Sequence, residues 1–388
     1  MPRLRRSDPS GPGLRRRRRG RGFSYTNADG SPVVDHETLE RISSLAIPPA
    51  WKEVWICPDP NGHIQATGTD AAGRRQYRYH EAWRRRRDIE KFEKMVRFGQ
   101  RLPALRRQLA ADLALAGYPR QKVLAAAVRL LDVGYFRIGG EAYAEENETF
   151  GLATMERGHV RVSGEEMHFD YPAKGSIRRR VTVRDGEVAR LLYGLERRRG
   201  GGEDLLCWKE KGRWHDVTAE DVNGYIKEHI GEEFSAKDFR TWSATVLAAI
   251  ALALASPGRS ETAGRRLVTA VCKEVSCKLG NTPAVCRASY IDPRVFDRHR
   301  AGESIAAAVA GLARQEKELG PKSRSKVDAA VVALLEEEGA QLLEGPSASP
   351  RRRRSPGSSR SSSSRARSRL PRSSGERARK LDAPKKAA

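Results

Sequence analysis

The segment "KLGNTPAVCRASYIDP", Lys278 to Pro293, reads as a turn, a short helix and a stop. Thr282 can cap the helix, and Pro283 suits its first position. Pro293 forbids continuation and pushes Asp292 towards extended geometry, so Tyr290 falls near the helix end. There it is a candidate nucleophile, although a lone helical tyrosine is more often core packing. Asn281 opens the segment with a side chain that donates hydrogen bonds but cannot titrate. "GYFRIGGEAY" places Arg137 among Tyr135, Phe136 and Ile138, so it is either paired in the core or aimed at an anion in a cleft. "YPAKGS" places Lys174 at a hairpin tip, where alone it reads as a solvent-exposed lysine. "SAKDFRTWSATVLAA" puts Lys237 and Arg240 three apart on one helical face before an apolar run.

These residue types suit one chemistry. Phosphoryl transfer without a metal needs a side-chain nucleophile, cations on the non-bridging oxygens and a general acid for the leaving oxygen. The sequence lacks the motifs of other routes. It has no GxxxxGK[ST] loop, HExxH, EF-hand or GxSxG pattern, and no acidic triplet that would hold catalytic magnesium. No metal and no cofactor is expected.

Charge points to a polyanion. The net charge is +24 over 388 residues. Residues 1–22 carry nine arginines and one acid, and residues 351–388 carry fourteen Lys/Arg and two acids, which leaves only about +4 for residues 23–350. Such tails release counterions from phosphates. Five cysteines form no CxxC pair, which suggests reduced thiols. The longest apolar run, Val246 to Ala255, is too short for a membrane span, and no secretory signal is recognisable. The expectation is a cytoplasmic, nucleoid-associated protein.

The elements that must position these side chains suggest an α+β fold. Residues 1–22 read as a disordered basic tail, residues 23–95 as a β-rich DNA-binding domain and residues 96–344 as a mainly helical catalytic domain. Residues 345–388 read as a disordered Ser/Arg-rich tail. A connector is expected near residue 95. Between Phe150 and Arg184 the apolar period switches to two, which predicts a three- or four-stranded meander inside the helical domain; helices resume at about Ala219. In the first domain, "GRRQYRYHEAWRRRRD" interleaves Arg74, Arg75, Arg78 and Arg84 to Arg87 with Tyr77, Tyr79 and Trp83, a footprint for phosphates and base edges.

The motifs "RIG…ENETFGL", "KDFRTW" and "TPAVCRASY" occur in an order and at intervals that resemble the type IB DNA topoisomerases, in particular their bacterial and poxvirus-like branch. The resemblance runs from about Pro32 to Asp297. It implies that Tyr290 attacks the scissile phosphate and forms a 3′-phosphotyrosyl link. It further implies that Arg137 and Arg240 bind the non-bridging oxygens and that Lys174 is the general acid, assisted by Arg137 and Lys237. Most poxvirus and nuclear relatives carry histidine where this chain has Asn281, which fits a hydrogen-bond donor and not a proton carrier. By the same resemblance, Gln76, Tyr77, Tyr79 and Tyr143 contact DNA, with Arg74 beside them. The implied partner is double-stranded DNA, clamped by a monomer without ATP or metal. Two rivals are a tyrosine recombinase or integrase, and a non-enzymatic nucleoid-binding protein in which Tyr290 is core.

Overall fold

The computed structural model describes residues 3–140, 148–255, 260–310 and 321–336. Tyr143 and the expected tail at 345–388 lie outside the described residues.

A five-stranded antiparallel sheet comes first. Its strands are β1 (Leu14–Arg19), β2 (Gly22–Thr26), β3 (Lys52–Ile56), β4 (Ile64–Thr69) and β5 (Arg75–Tyr79), in the order β2-β1-β3-β4-β5. Helix α1 (His36–Ser44) packs its Ile42 with Leu14, Val54, Ile56 and Ala66 in a small core. The sheet corrects the expectation that residues 1–22 are a disordered tail. Two residues order the arginine run. Leu14 is buried, and the Arg16 guanidinium donates to the carbonyls of Ile47, Pro48 and Trp51 at 3.2, 3.0 and 2.7 Å while lying over the Phe23 ring.

A 33-residue helix, α2 (Glu81–Leu113), follows directly. It runs through residue 95, where a connector is expected, without interruption. Phe92 is the first residue of a second, much larger core, and Trp83, earlier in the helix, meets the His63 ring with centroids 5.0 Å apart. The large core is built by α2, α3 (Arg120–Gly134), the meander β6 (Val160–Ser163), β7 (Glu166–Ala173) and β8 (Ile177–Arg184), and the helices that follow. The expected meander is therefore present with three strands. Two features were not foreseen before Ala219: helix α4 (Gly186–Glu196), capped by Asp185, and a hairpin of β9 (Cys207–Glu210) and β10 (Arg213–Asp216). Both are short, and their apolar patterns are too brief to outweigh the charged residues around them.

The remaining helices are α5 (Ala219–Ile230), α6 (Ala236–Leu254), α7 (Glu261–Leu279), α8 (Pro283–Ser289), α9 (Arg294–Arg300), α10 (Ala306–Ala310) and α11 (Pro321–Glu336). Helix α6 is buried along most of its length, which agrees with its apolar run. A buried polar centre joins four helices. Arg106 of α2 bonds both carboxylate oxygens of Asp132 at 2.8 and 2.9 Å and Asp328 at 2.5 Å, and Asp328 also accepts from the Trp242 indole at 2.9 Å. Every member has a partner, so the charges are satisfied despite burial.

Candidate active site

Two helix ends frame the site. At the end of α3, Tyr135 takes a left-handed conformation (φ 56°, ψ 31°), which costs a non-glycine residue about 1–3 kcal/mol. The turn is held by packing: the Phe136 ring is fully buried and lies over Gly134, where a Cβ would come within 2.2 Å of it. The turn aims the Tyr135 carbonyl and the Arg137 side chain towards the end of α7. That helix stops at Gly280, whose φ of 64° suits a residue without a side chain.

Asn281 follows, then Thr282, which caps α8 by accepting from the Val285 amide at 3.3 Å, with Pro283 in the first position. Tyr290 is the C-terminal cap of α8, as the sequence indicates. Its backbone is fixed: its N–H donates to Cys286 at 3.0 Å, and its carbonyl faces the buried Thr245 hydroxyl of α6 at 3.4 Å. Arg240 lies on the same helix, so α6 fixes both the tyrosine and an arginine beside it.

Arg240 is nearly fully buried, with its Cζ 5.6 Å from the centroid of the Tyr290 ring. It donates to the Leu279 carbonyl at 2.8 Å and to the Tyr135 carbonyl. Arg137 donates to the Gly280 carbonyl at 2.9 Å and to Asn281 Oδ1. A third arginine, Arg179 of β8, reaches the Lys278 carbonyl at 3.2 Å. Three guanidiniums thus occupy three consecutive carbonyls at the end of α7, where the helix dipole carries about half a negative charge. Among the described residues, none of the three has a carboxylate within the ion-pair distance of 4.0 Å. Carbonyls compensate the cations only in part, so net positive charge remains for an anion. Burial, then Arg137, pushes the Arg240 pKa down to about 10, with Tyr290 opposing, so Arg240 stays charged at neutral pH. Arg240 Nε and Asn281 Nδ2 are buried without a hydrogen-bond partner. The Asn281 amide touches the Cys286 thiol, which burial pushes up, but that contact lacks hydrogen-bond geometry. Two donors are therefore left without an acceptor among the described residues.

The structure brings together Tyr290, Arg137, Arg240 and Asn281. Lys174 stands on the exposed turn between β7 and β8, and Lys237 on the exposed first turn of α6. Arg179 was not anticipated, yet a signal existed. It has the parity of Val181 and Val183 in "RRRVTV", so the period of two selects it as the inward arginine.

In the sheet, Tyr77 and Tyr79 stack on the exposed face of edge strand β5, with ring centroids 5.9 Å apart. Gln76 points to the opposite face and donates to Asp70 at 2.9 Å, sharing that carboxylate with Arg74 at 3.2 Å. Register places Arg15, Trp55, Thr67 and Tyr77 on one face. Arg15, Arg17, Arg18 and Arg19 are exposed and, among the described residues, unpaired; Arg85, Arg86 and Arg87 of α2 instead pair with Glu81 or Glu90. The strongest uncompensated charge on this domain is therefore β1.

Residues 80–318 match the family described as eukaryotic DNA topoisomerase I, catalytic core, and residues 22–70 match the bacterial DNA topoisomerase IB, N-terminal domain. The chain is similar to DNA topoisomerase 1B of Acanthamoeba polyphaga mimivirus, at 30% identity over 319 residues covering 76% of this chain and 92% of that protein. With a tyrosine-bearing helix end beside an arginine cluster, and matches over both the sheet and the helical body, the chain belongs to the type IB DNA topoisomerases.

Proposed function

We propose that this DNA topoisomerase acts as a monomer that closes its sheet and its helical body around duplex DNA and relaxes it through Tyr290. The Tyr290 oxygen attacks the scissile phosphorus and gives its proton to solvent water while the bond from phosphorus to the 5′-oxygen breaks. The leaving oxygen takes a proton from Lys174. Arg137 and Arg240 hold the non-bridging oxygens, for which rigid, always-charged guanidiniums are suited. Asn281 Nδ2 and Arg240 Nε donate to oxygens that become more negative in the pentacoordinate state. Lys237 assists from the first turn of α6. The broken strand turns about the intact one, driven by torsion. The freed 5′-hydroxyl then reverses both proton transfers and restores the phosphodiester. Because the bond energy stays in the phosphotyrosine, no step calls for ATP.

On the sheet, Tyr77 and Tyr79 meet the duplex, with Gln76, Arg74 and Tyr143 as further contacts. The place of action is a compartment that holds DNA, and we assign the nucleoid. No described helix is long and apolar enough to cross a membrane.

The single observation that carries this reading is Arg240 set over the Tyr290 ring within a cluster that has no carboxylate partner among the described residues. The test uses supercoiled plasmid in EDTA without ATP. Relaxation by the native chain and none by Tyr290→Phe is expected. No relaxation by either protein at low salt overturns the reading.

A further inference from the structure

Arg179 differs from its two neighbours in what it has left to give. Its Nη1 donates to the Tyr135 carbonyl at 3.1 Å, and its Nη2 donates to Gly134 at 3.1 Å and Lys278 at 3.2 Å. Its Cζ lies 5.5 Å from the centroid of the Phe136 ring, and its flank lies against the buried Tyr171 phenol of β7. Most of its donors are committed to backbone carbonyls, so little remains for a phosphate. Arg178 and Arg180, on either side, turn outward and pair with Asp170 at 2.6 and 3.2 Å.

Its three carbonyl partners lie on the ends of α3 and α7, the same two ends that hold Arg240 and Arg137. Arg179 itself belongs to β8, which returns directly from the Lys174 turn. Tyr171 pairs with Arg179, and Ala173 with Ile177, so Arg179 sits one inward position, about 6.7 Å, below the last pair before the turn. Other contacts secure the meander through β7: the Phe136 ring meets Phe169, and the Phe150 amide donates to the Pro172 carbonyl at 2.8 Å. Among the described residues, Arg179 supplies the side-chain hydrogen bonds that run from β8 to the ends of α3 and α7.

We propose that Arg179 is a positioning residue that rivets the Lys174 turn to the arginine cluster, so that the turn and the phosphate clamp share one set of anchors. The proposal rests on Lys174 being the general acid. A planar fork with several donors can bond two helix ends at once, whereas an ammonium at this depth cannot span both. Loss of Arg179 should therefore slow protonation of the leaving oxygen more than it weakens DNA binding.

The test compares two duplexes that carry the same cleavage site. One has the natural 5′-oxygen leaving atom and the other a bridging 5′-sulfur, which departs as thiolate and needs no proton. Single-turnover cleavage is measured at saturating enzyme, with DNA affinity and melting temperature in parallel. For Arg179→Ala we expect cleavage of the oxygen substrate to slow by about tenfold to a hundredfold, part of the usual contribution of a general acid. The defect should largely vanish on sulfur, with affinity unchanged. Arg178→Ala, on the outer face of the same strand, should behave as native on both substrates. If Arg179→Ala does not fold, Arg179→Lys carries the test, because it keeps the charge and loses the fork. Equal slowing on both substrates, or no slowing on oxygen, overturns the proposal. Lys174→Ala separates the two ideas. If sulfur rescues it but not the Arg179 variant, only the Arg179 proposal falls. If sulfur rescues neither, the acid assignment falls and the proposal falls with it.

Discussion

The Thr245 hydroxyl accepts from the Asp292 amide at 3.0 Å and faces the Tyr290 carbonyl at 3.4 Å, so one side chain of α6 ties down the proposed nucleophile and the turn after it. Its proton is shared with the Thr241 carbonyl at 3.2 Å. Thr245→Val keeps the shape and removes the acceptor, which strands a buried amide at a cost of about 1–3 kcal/mol. We expect a lower melting temperature and slower covalent-adduct formation at saturating DNA. Arg240 is untouched, so adduct formation at the native rate would show that the Tyr290 backbone needs no such tether.

Asn281 divides its amide between two tasks. Its Oδ1 accepts from Arg137, and its buried Nδ2 has no partner among the described residues. Asn281→Ala should slow cleavage by about a hundredfold, the usual effect of losing one transition-state donor. Asn281→Asp should be worse than alanine, since a carboxylate would pair with Arg137 and repel phosphate. Asn281→His should retain much of the rate and acquire a pH dependence near about 6.5 that the native side chain cannot have. Rate against pH for the four proteins checks the order. Equal rates for alanine and asparagine would remove Asn281 from the mechanism.

Much of this site is legible in the sequence because its signals are local. Thr282, Pro283 and Pro293 bracket α8 and put Tyr290 at its end. The apolar company of Arg137 marks an arginine drawn into the structure. Arg179 is harder to see, because three consecutive arginines look alike until strand parity turns the middle one inward. The β1 arginines mislead for a related reason. Composition alone reads them as a tail, and what orders them is tertiary: carbonyls at Ile47, Pro48 and Trp51, some thirty residues downstream, that accept from Arg16. The connector expected near residue 95 lies within α2, which enters the larger core at Phe92 without interruption.

The buried centre around Arg106 predicts an acid limit to stability. Burial alone would raise the Asp132 carboxyl, but Arg106 more than offsets it and holds the pKa down at about 2. Its folded value lies below the unfolded one, so its contribution is complete above about pH 4 and is lost as pH falls towards 2. Burial raises the Asp328 pKa, and Arg106 only partly offsets that, so the ionised form there is disfavoured. Asp132→Asn should therefore cost about 3–5 kcal/mol at neutral pH, as expected for breaking a buried pair, and should remove the acid-dependent part. Asp328→Asn keeps an acceptor for Trp242 and should cost much less. Denaturant unfolding of both variants between pH 2 and 7 measures the difference. Equal losses at neutral pH would show that Arg106 does not distinguish the two carboxylates.

The two basic ends should respond differently to deletion. Removing residues 1–22 takes away β1, with it the buried Leu14 and the three carbonyl bonds of Arg16. That opens the edge of β3 and the small core under α1, so the sheet domain should melt early and DNA affinity should fall beyond any charge effect. Replacing Arg15, Arg17 and Arg19 by alanine keeps the strand and removes only exposed charge. Its effect should be electrostatic, lowering the slope of log affinity against log salt by about 0.9 for each phosphate that is no longer neutralised. Deleting residues 345–388 should likewise flatten the slope and leave the covalent adduct forming at saturating protein. Melting curves and salt titrations of the three variants decide the matter. A truncation at residue 22 that melts like the native chain would return the arginine run to the role of a tether.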